Sequence, residues 1–152
     1  MSRRYPTWNK QQIEKIVTHL ITKSNIDDDI IPIIKQTFED LDYGRFDAED
    51  MQFTEQLDKS PNQYPNDKSI RVKVLGLELG ASKGELVYWY ESLANKRGYS
   101  TKIKDLSIKK YKQILLDKIE DILEIAGYDI AKIRQDLHYE SESMIITSNS
   151  RN

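Results

Sequence analysis

The chain of 152 residues has no cysteine. That excludes a disulfide framework, thiolate catalysis and every cysteine-ligated metal site. It has only two histidines, His19 and His138, far apart in sequence and without metal-ligand spacing. Six glycines and four prolines are spread thinly. None forms either common type of phosphate-cradling loop, and no serine-nucleophile signature occurs. Long apolar runs are missing as well, so no segment is expected to span a membrane. The basic start, Met-Ser-Arg-Arg-Tyr-Pro, is not followed by an apolar stretch of signal-peptide length, so the expected location is the cytoplasm. Strong net charge is the last absence: the formal value is −2.

What is present is enough for one domain with a real core, since a chain near this length buries roughly 70% of its unfolded surface. Charge is abundant and unevenly placed. Between Asp27 and Gln63 eleven acids face three bases, and between Lys96 and Lys118 eight bases face two acids. Such segments fit either a face for a polyanion with another turned away from it, or two solvated surfaces with no partner.

Asn9 followed by Gln12 has capping-box spacing, and Ile13, Ile16, Val17, Leu20 and Ile21 share a helical face up to Ser24-Asn25. Asp27, Asp28 and Asp29 precede an apolar run containing Pro32. Acids favour a first turn and proline is tolerated there, so the triplet reads as a helix start rather than a metal site. Gly44 closes that helix. Residues 51–57 alternate and predict a strand, and 60–67 are loop chemistry. Residues 70–80 fit strand or helix. Residues 84–90, rich in aromatic and β-branched types, predict a strand, and a polar loop covers 91–104. The clearest helix follows, with Ser107 as cap, Ile108, Tyr111, Leu115, Ile119, Ile122 and Ala126 as stripe, and Gly127 as stop. The predicted class is α+β and mostly helical, with a long C-terminal helix and a few short strands. The Ser- and Asn-rich residues 139–152 are expected to be disordered.

Asp40-Leu41-Asp42-Tyr43-Gly44 resembles the start of a calcium loop, but its sixth position is Arg45 and its twelfth is Met51, which fails the ligand pattern. No self-contained active site emerges. A basic and aromatic surface remains: Tyr64, Lys68, Arg71 and Lys73 around one loop, and Lys109, Lys110 and Lys112 in the first turns of the long helix. Such residues track a phosphate backbone without reading bases, or simply solvate the surface. Tyr88, Trp89 and Tyr90 read as core and sheet-face residues rather than base-stacking platforms.

The order of these segments resembles the start of the thumb in archaeal family B DNA polymerases. The stretch from Met51 through Leu57, Lys59, Pro61, Tyr64 and Asn66, then Ser69-Ile70-Arg71-Val72, is similar to that family's alternating strand, its "L-x-K-x-P-x-x-Y-x-N" loop and the "P-H-V" that opens a helix. Leu79 to Tyr90 is similar to the strand "L-G-x-x-x-G-D-x-I-x-Y-Y". Asp105 to Gly127 is similar to the helix "D-x-x-Y…L…I-x-x-I-L-x-x-x-G". Arg3-Arg4-Tyr5-Pro6-Thr7-Trp8 is similar to the "R-R-D-x-x" segment after the last palm strand. The resemblance covers residues 3–128 in order. Tyr5 stands where the family often has Asp, Arg71 where it has His, and Glu85 where it has Asp.

The resemblance implies a thumb-like domain over 9–138, with 1–8 as the palm-to-thumb connection. The chain would be the carboxy-terminal piece of a family B polymerase, as a split small subunit or an excised fragment. It would grip primer–template DNA through the phosphate backbone during DNA replication. Arg3, Arg4, Tyr64, Asn66, Lys68, Arg71, Lys73, Lys109 and Lys112 are the implied DNA contacts. No catalytic residue and no cofactor is expected in this chain. The palm carboxylates and their Mg2+ ions, which clamp the attacking and leaving oxygens, belong to the catalytic partner. Lys109-Lys110-Tyr111 echoes the palm's "K-K-x-Y" but lies in the thumb helix, so that role is not carried over. The other readings are a non-catalytic adaptor for a replicative polymerase and a small independent DNA-binding protein.

Overall fold

The computed structural model describes residues 3–22, 27–66 and 70–137, and for 27–29 the backbone alone. Among the described residues the chain is α+β, with five α-helices and a three-stranded antiparallel sheet. The order is α1 (Thr7–Thr22), α2 (Asp27–Asp42), β1 (Phe53–Gln56), α3 (Ile70–Leu79), β2 (Leu86–Glu91), β3 (Tyr99–Ser100), α4 (Ile108–Ile125) and α5 (130–137). No described helix is long and apolar enough to cross a membrane. The expected tail, 139–152, lies outside the described residues.

The chain divides into two compact units. The first is Met1–Gln11 with Phe46–Tyr111, and the second is Gln12–Arg45 with Lys112–Asn152. Two of the boundaries fall inside α1 and α4. A helix carries no Gly- or Pro-rich linker composition, so sequence gives no sign of them.

In the first unit the sheet order is β1-β2-β3. The register pairs Phe53 with Trp89 and Glu55 with Val87. Side chains alternate across a strand, so these four share one face. Phe53, Val87 and Trp89 are buried. Phe53 stacks on Trp89 at 5.7 Å between centroids and 15° between planes. The amino-terminal segment joins the edge of β1, with Arg4 N–H donating to Thr54 O and Thr54 N–H to Arg4 O. Tyr111, fully buried at the start of α4, packs its ring against Phe53 at 6.1 Å. Its hydroxyl donates to Met51 O at 2.5 Å and accepts from Glu91 N–H at 3.3 Å. Burial pushes its pKa well up.

Residues 70–79 are helical, which settles the ambiguous segment. Val72, Leu75 and Gly76 are its buried face, a spacing of three and four. The strand reading fails on Ile70, which is 48% exposed while Val72 is buried. Gly76 lies so close to Pro61 that a Cβ there would stand 2.7 Å from the proline Cγ.

The second unit is helical. Its buried apolar side chains are Ile16 of α1, Ile30, Ile34 and Leu41 of α2, Leu115, Ile119 and Leu123 of α4, and Ile133 and Leu137 of α5. Buried Thr37 lies 3.2 Å from Lys15 Nζ and 3.3 Å from Gln12 Oε1, linking α2 to α1. Lys112 pairs with Asp42 at 2.8 Å, and Arg134 donates twice to Glu120, at 2.8 and 2.6 Å.

Helix ends follow local chemistry, with three departures from expectation. Asn9 does not cap α1: Lys10 N–H donates to Pro6 O, the helix starts at Thr7, and Asn9 is buried within it. α2 begins at Asp27, which leaves Pro32 inside it rather than in its first turn. The chain also re-enters a helix after Gly127, where Asp129 Oδ1 accepts from Lys132 N–H. Ser107 does cap α4, with Oγ accepting from Lys110 N–H. Gly44 closes α2 at φ +68°, with Arg45 N–H returning to Asp40 O, a left-handed closure that suits glycine.

Two substitutions test this packing. Gly76→Ala should lower the thermal midpoint, because overpacking costs about 1–3 kcal/mol against a helix-propensity gain of at most about 1 kcal/mol. An unchanged or raised midpoint would show that Pro61 yields freely. Tyr111→Phe leaves a buried carbonyl and a buried N–H short of a partner. It should cost about 1–3 kcal/mol in urea unfolding, and a loss under about 0.5 kcal/mol would assign the two bonds no weight.

Candidate nucleic-acid interface

The loop after β1 is held by its own side chains. Leu57 is buried. Ser60 N–H donates to Gln63 Oε1, and Ser60 and Gln63 form a reciprocal capping box around Pro61. Tyr64 turns its hydroxyl back to accept from Asp58 N–H at 2.7 Å and Lys59 N–H at 3.3 Å. Lys59 Nζ lies over the Tyr64 ring at 5.8 Å. Tyr64 is thus a staple that satisfies backbone donors just past the end of the strand, and this accounts for tyrosine at that spacing. Asn66 is exposed, and Lys68 lies outside the described residues.

α3 carries Arg71 onto the sheet. Its guanidinium lies 4.6 Å from the Trp89 ring centroid and 5.9 Å from that of Tyr99. Arg3 lies over Tyr5 at 5.3 Å and over Phe53 at 5.7 Å. Phe53 and Trp89 are stacked, so each arginine lies against one member of a stacked aromatic pair. Contacts of this kind contribute about 0.5–2 kcal/mol each and fix where the planar cation lies. Sequence reasoning grouped Arg71 with Tyr64, Lys68 and Lys73. The described structure places Arg71 against Trp89 and Arg3 against Phe53, two rings that the β1–β2 register brings together.

Glu55 is the residue sequence reasoning missed. It is half-buried on the same sheet face, two positions from Phe53. Burial raises its pKa, with Arg71 and then Arg3 opposing that rise and Asp58 adding to it. The alternation of 51–57 was the available signal, since it places Glu55 beside Phe53.

The other implied contacts divide. Arg4 is exposed and engaged through its backbone with β1. Lys73 is half-buried and Lys109 is exposed in the first turn of α4. Lys112 is committed to Asp42 and lies over the Phe38 ring at 5.5 Å. One residue of the basic segment, Lys112, is thus paired with one of the acidic segment, Asp42. Arg97, also in the basic segment, pairs with Glu78 at 2.8 Å, and Thr101 Oγ1 adds a bond to Glu78. Hydrogen bonding from Arg97 lowers the Glu78 pKa. Lys96, Lys102 and Lys104 are exposed on the segment before α4, and Lys110 Nζ donates back to Gly98 O. Among the described residues no group of three or more histidines and carboxylates is placed to hold a metal ion.

Chemically, two guanidiniums held against a stacked aromatic pair, with exposed lysines elsewhere in the unit, suit phosphate groups. Arginine offers a rigid fork of donors to phosphate, and lysine supplies field. No protein-family model matches the chain, and no curated protein matches it.

The burial of Glu55 sets a sign. Its folded pKa is raised, so the folded state holds that proton more tightly than the unfolded chain. The stability this contributes is present at low pH and is lost as pH rises through the folded pKa. Glu55→Gln should therefore raise the urea midpoint at pH 7, and the gain should shrink towards zero near pH 4. An equal change at both pH values would assign the effect to packing.

Proposed function

We propose that the chain is the thumb-like carboxy-terminal piece of a family B DNA polymerase, gripping primer–template duplex through backbone phosphates while a partner chain or domain carries the catalytic carboxylates and Mg2+. The observation that carries this reading is the order of elements with their internal wiring. A strand, a loop with the tyrosine motif, a helix, a second strand and a long helix are what the resemblance implies. β1, the Tyr64 loop, α3, β2 and α4 come in that order, and Leu57, Pro61 and Tyr64 each do structural work where the motif has them. Arg3 and Arg71, each held against one ring of the Phe53–Trp89 pair, are the grip in this reading, with Lys109 and Lys73 adding charge. Nucleotide addition belongs to the assembled polymerase.

The test is reconstitution. Purified chain with primer–template, deoxynucleotides and magnesium should extend nothing. A candidate chain carrying palm carboxylates should copurify with it and extend primers more processively in its presence. Magnesium-dependent extension by the pure chain alone would overturn the assignment. Copurification without any effect on extension or on duplex affinity would favour the adaptor.

A further inference from the structure

Resting on the phosphate-gripping reading, we infer that Glu55 is a resident counter-charge to Arg3 and Arg71, which an incoming phosphate must overcome, so that this face binds polyanions more tightly once Glu55 is neutral. The geometry has three parts. Both arginines are held by rings, Arg3 over Tyr5 and Phe53 and Arg71 over Trp89 and Tyr99, so neither depends on Glu55 for its place. Through the β1–β2 register Glu55 shares the sheet face of Phe53 and Trp89, the rings that hold the two arginines. No ion pair joins Glu55 to either arginine among the described residues, so its carboxylate adds negative field without locking them.

The surroundings leave few other groups to account for a pH response. Among the described residues, the charged groups whose fields act on Glu55 are Arg71 from α3, Arg3 from the amino-terminal segment and Asp58 just past β1. Its partner on β2, Val87, is apolar. Burial makes proton uptake easier than for an exposed glutamate. A bound phosphate would press the same way, because a second negative charge nearby favours the neutral acid. Duplex binding and protonation of Glu55 are then linked, each promoting the other.

The experiment measures the affinity of the full chain for labelled duplex DNA and, separately, for inorganic tripolyphosphate, at low salt from pH 4.5 to 8. Wild type and Glu55→Gln are compared. The variant should bind about two- to tenfold more tightly at pH 7.5, the range expected for one like charge near a surface site. The two curves should converge at acid pH as the wild type tightens. Parallel curves, or weaker binding by the variant, would overturn the inference while leaving the grip intact. Tripolyphosphate binding that depends on Glu55, with no duplex binding, would keep the inference and sink the DNA reading. Failure to bind either probe would sink both. Circular dichroism of the variant at each pH separates lost binding from lost fold.

Discussion

The hydroxyl of Tyr111 sits where three parts of the first unit meet, and the placement of the arginines depends on it. One oxygen donates to the Met51 carbonyl just before β1 and accepts from the Glu91 N–H at the end of β2. Both partners belong to backbone whose pairing stops nearby, where an unmatched group would be costly in a buried setting. The ring of the same residue backs Phe53, Phe53 stacks on Trp89, and Arg71 lies over Trp89. A continuous series of contacts therefore runs from a buried hydrogen bond to a half-buried cation. A shift in the ring or the hydroxyl would be felt at the guanidinium, because packed interiors transmit displacement rather than absorb it.

That series explains why arginine and aromatics occur together here. A guanidinium is planar and weakly hydrated, so it gives up water against a ring face more readily than an ammonium does, and it keeps its edge donors for another partner. Lysines such as Lys102, Lys104 and Lys109 are exposed on loop and helix start. They contribute charge that solvent and salt screen over about 10 Å. On the proposed reading the ring-held arginines set where a phosphate sits, and the lysines set how strongly a polyanion is drawn in.

Legibility in the sequence followed how local the deciding interaction was. α4 was readable because its cap, most of its stripe and its glycine stop lie close together in the chain, though the buried face ends on Leu123 and the expected Ala126 is exposed just past the helix. α2 was readable for similar reasons, though its start fell earlier than the proline suggested. α3 was ambiguous because it is apolar nearly all round. Val72 and Leu75 are buried while Ile70 and Leu77 are exposed, and only Pro61 against Gly76 tells which face turns inward. β3 has two residues and is defined by its partners on β2, so nothing in 99–100 alone announces it. α5 carried a signal, Asp129 followed by Ile133 and Leu137, which the glycine at 127 masked. Of the implied site, the loop around Tyr64 was visible as a motif, but the placing of Arg3 and Arg71 against two stacked rings was not, since it depends on a sheet register. The place of Glu55 on the face of Phe53 was legible in the alternation of 51–57, but its setting beside the arginines was not, since Arg71 comes from α3 and Arg3 from the amino-terminal segment.

Segmental charge and local pairing answer different questions. Eleven acids in one stretch and eight bases in another describe the chain's order, while potential depends on which side chains meet in the fold. Arg97 and Lys112, two of the eight bases, are matched by Glu78 and Asp42, and the ammonium of Lys110 donates to a backbone carbonyl. Arg3 and Arg71 lie outside the basic segment altogether. The cations best placed to hold a phosphate rigidly are thus not those that dominate the charge count. A cation fixed on a ring loses little conformational freedom when a phosphate arrives, whereas an exposed lysine must be ordered, at a cost of up to about 2 kcal/mol of side-chain entropy. On the proposed reading the two arginines would outweigh several lysines in positioning a duplex, Arg71 more than the exposed Arg3, and Glu55, on the sheet face of the rings that hold them, would act at that grip.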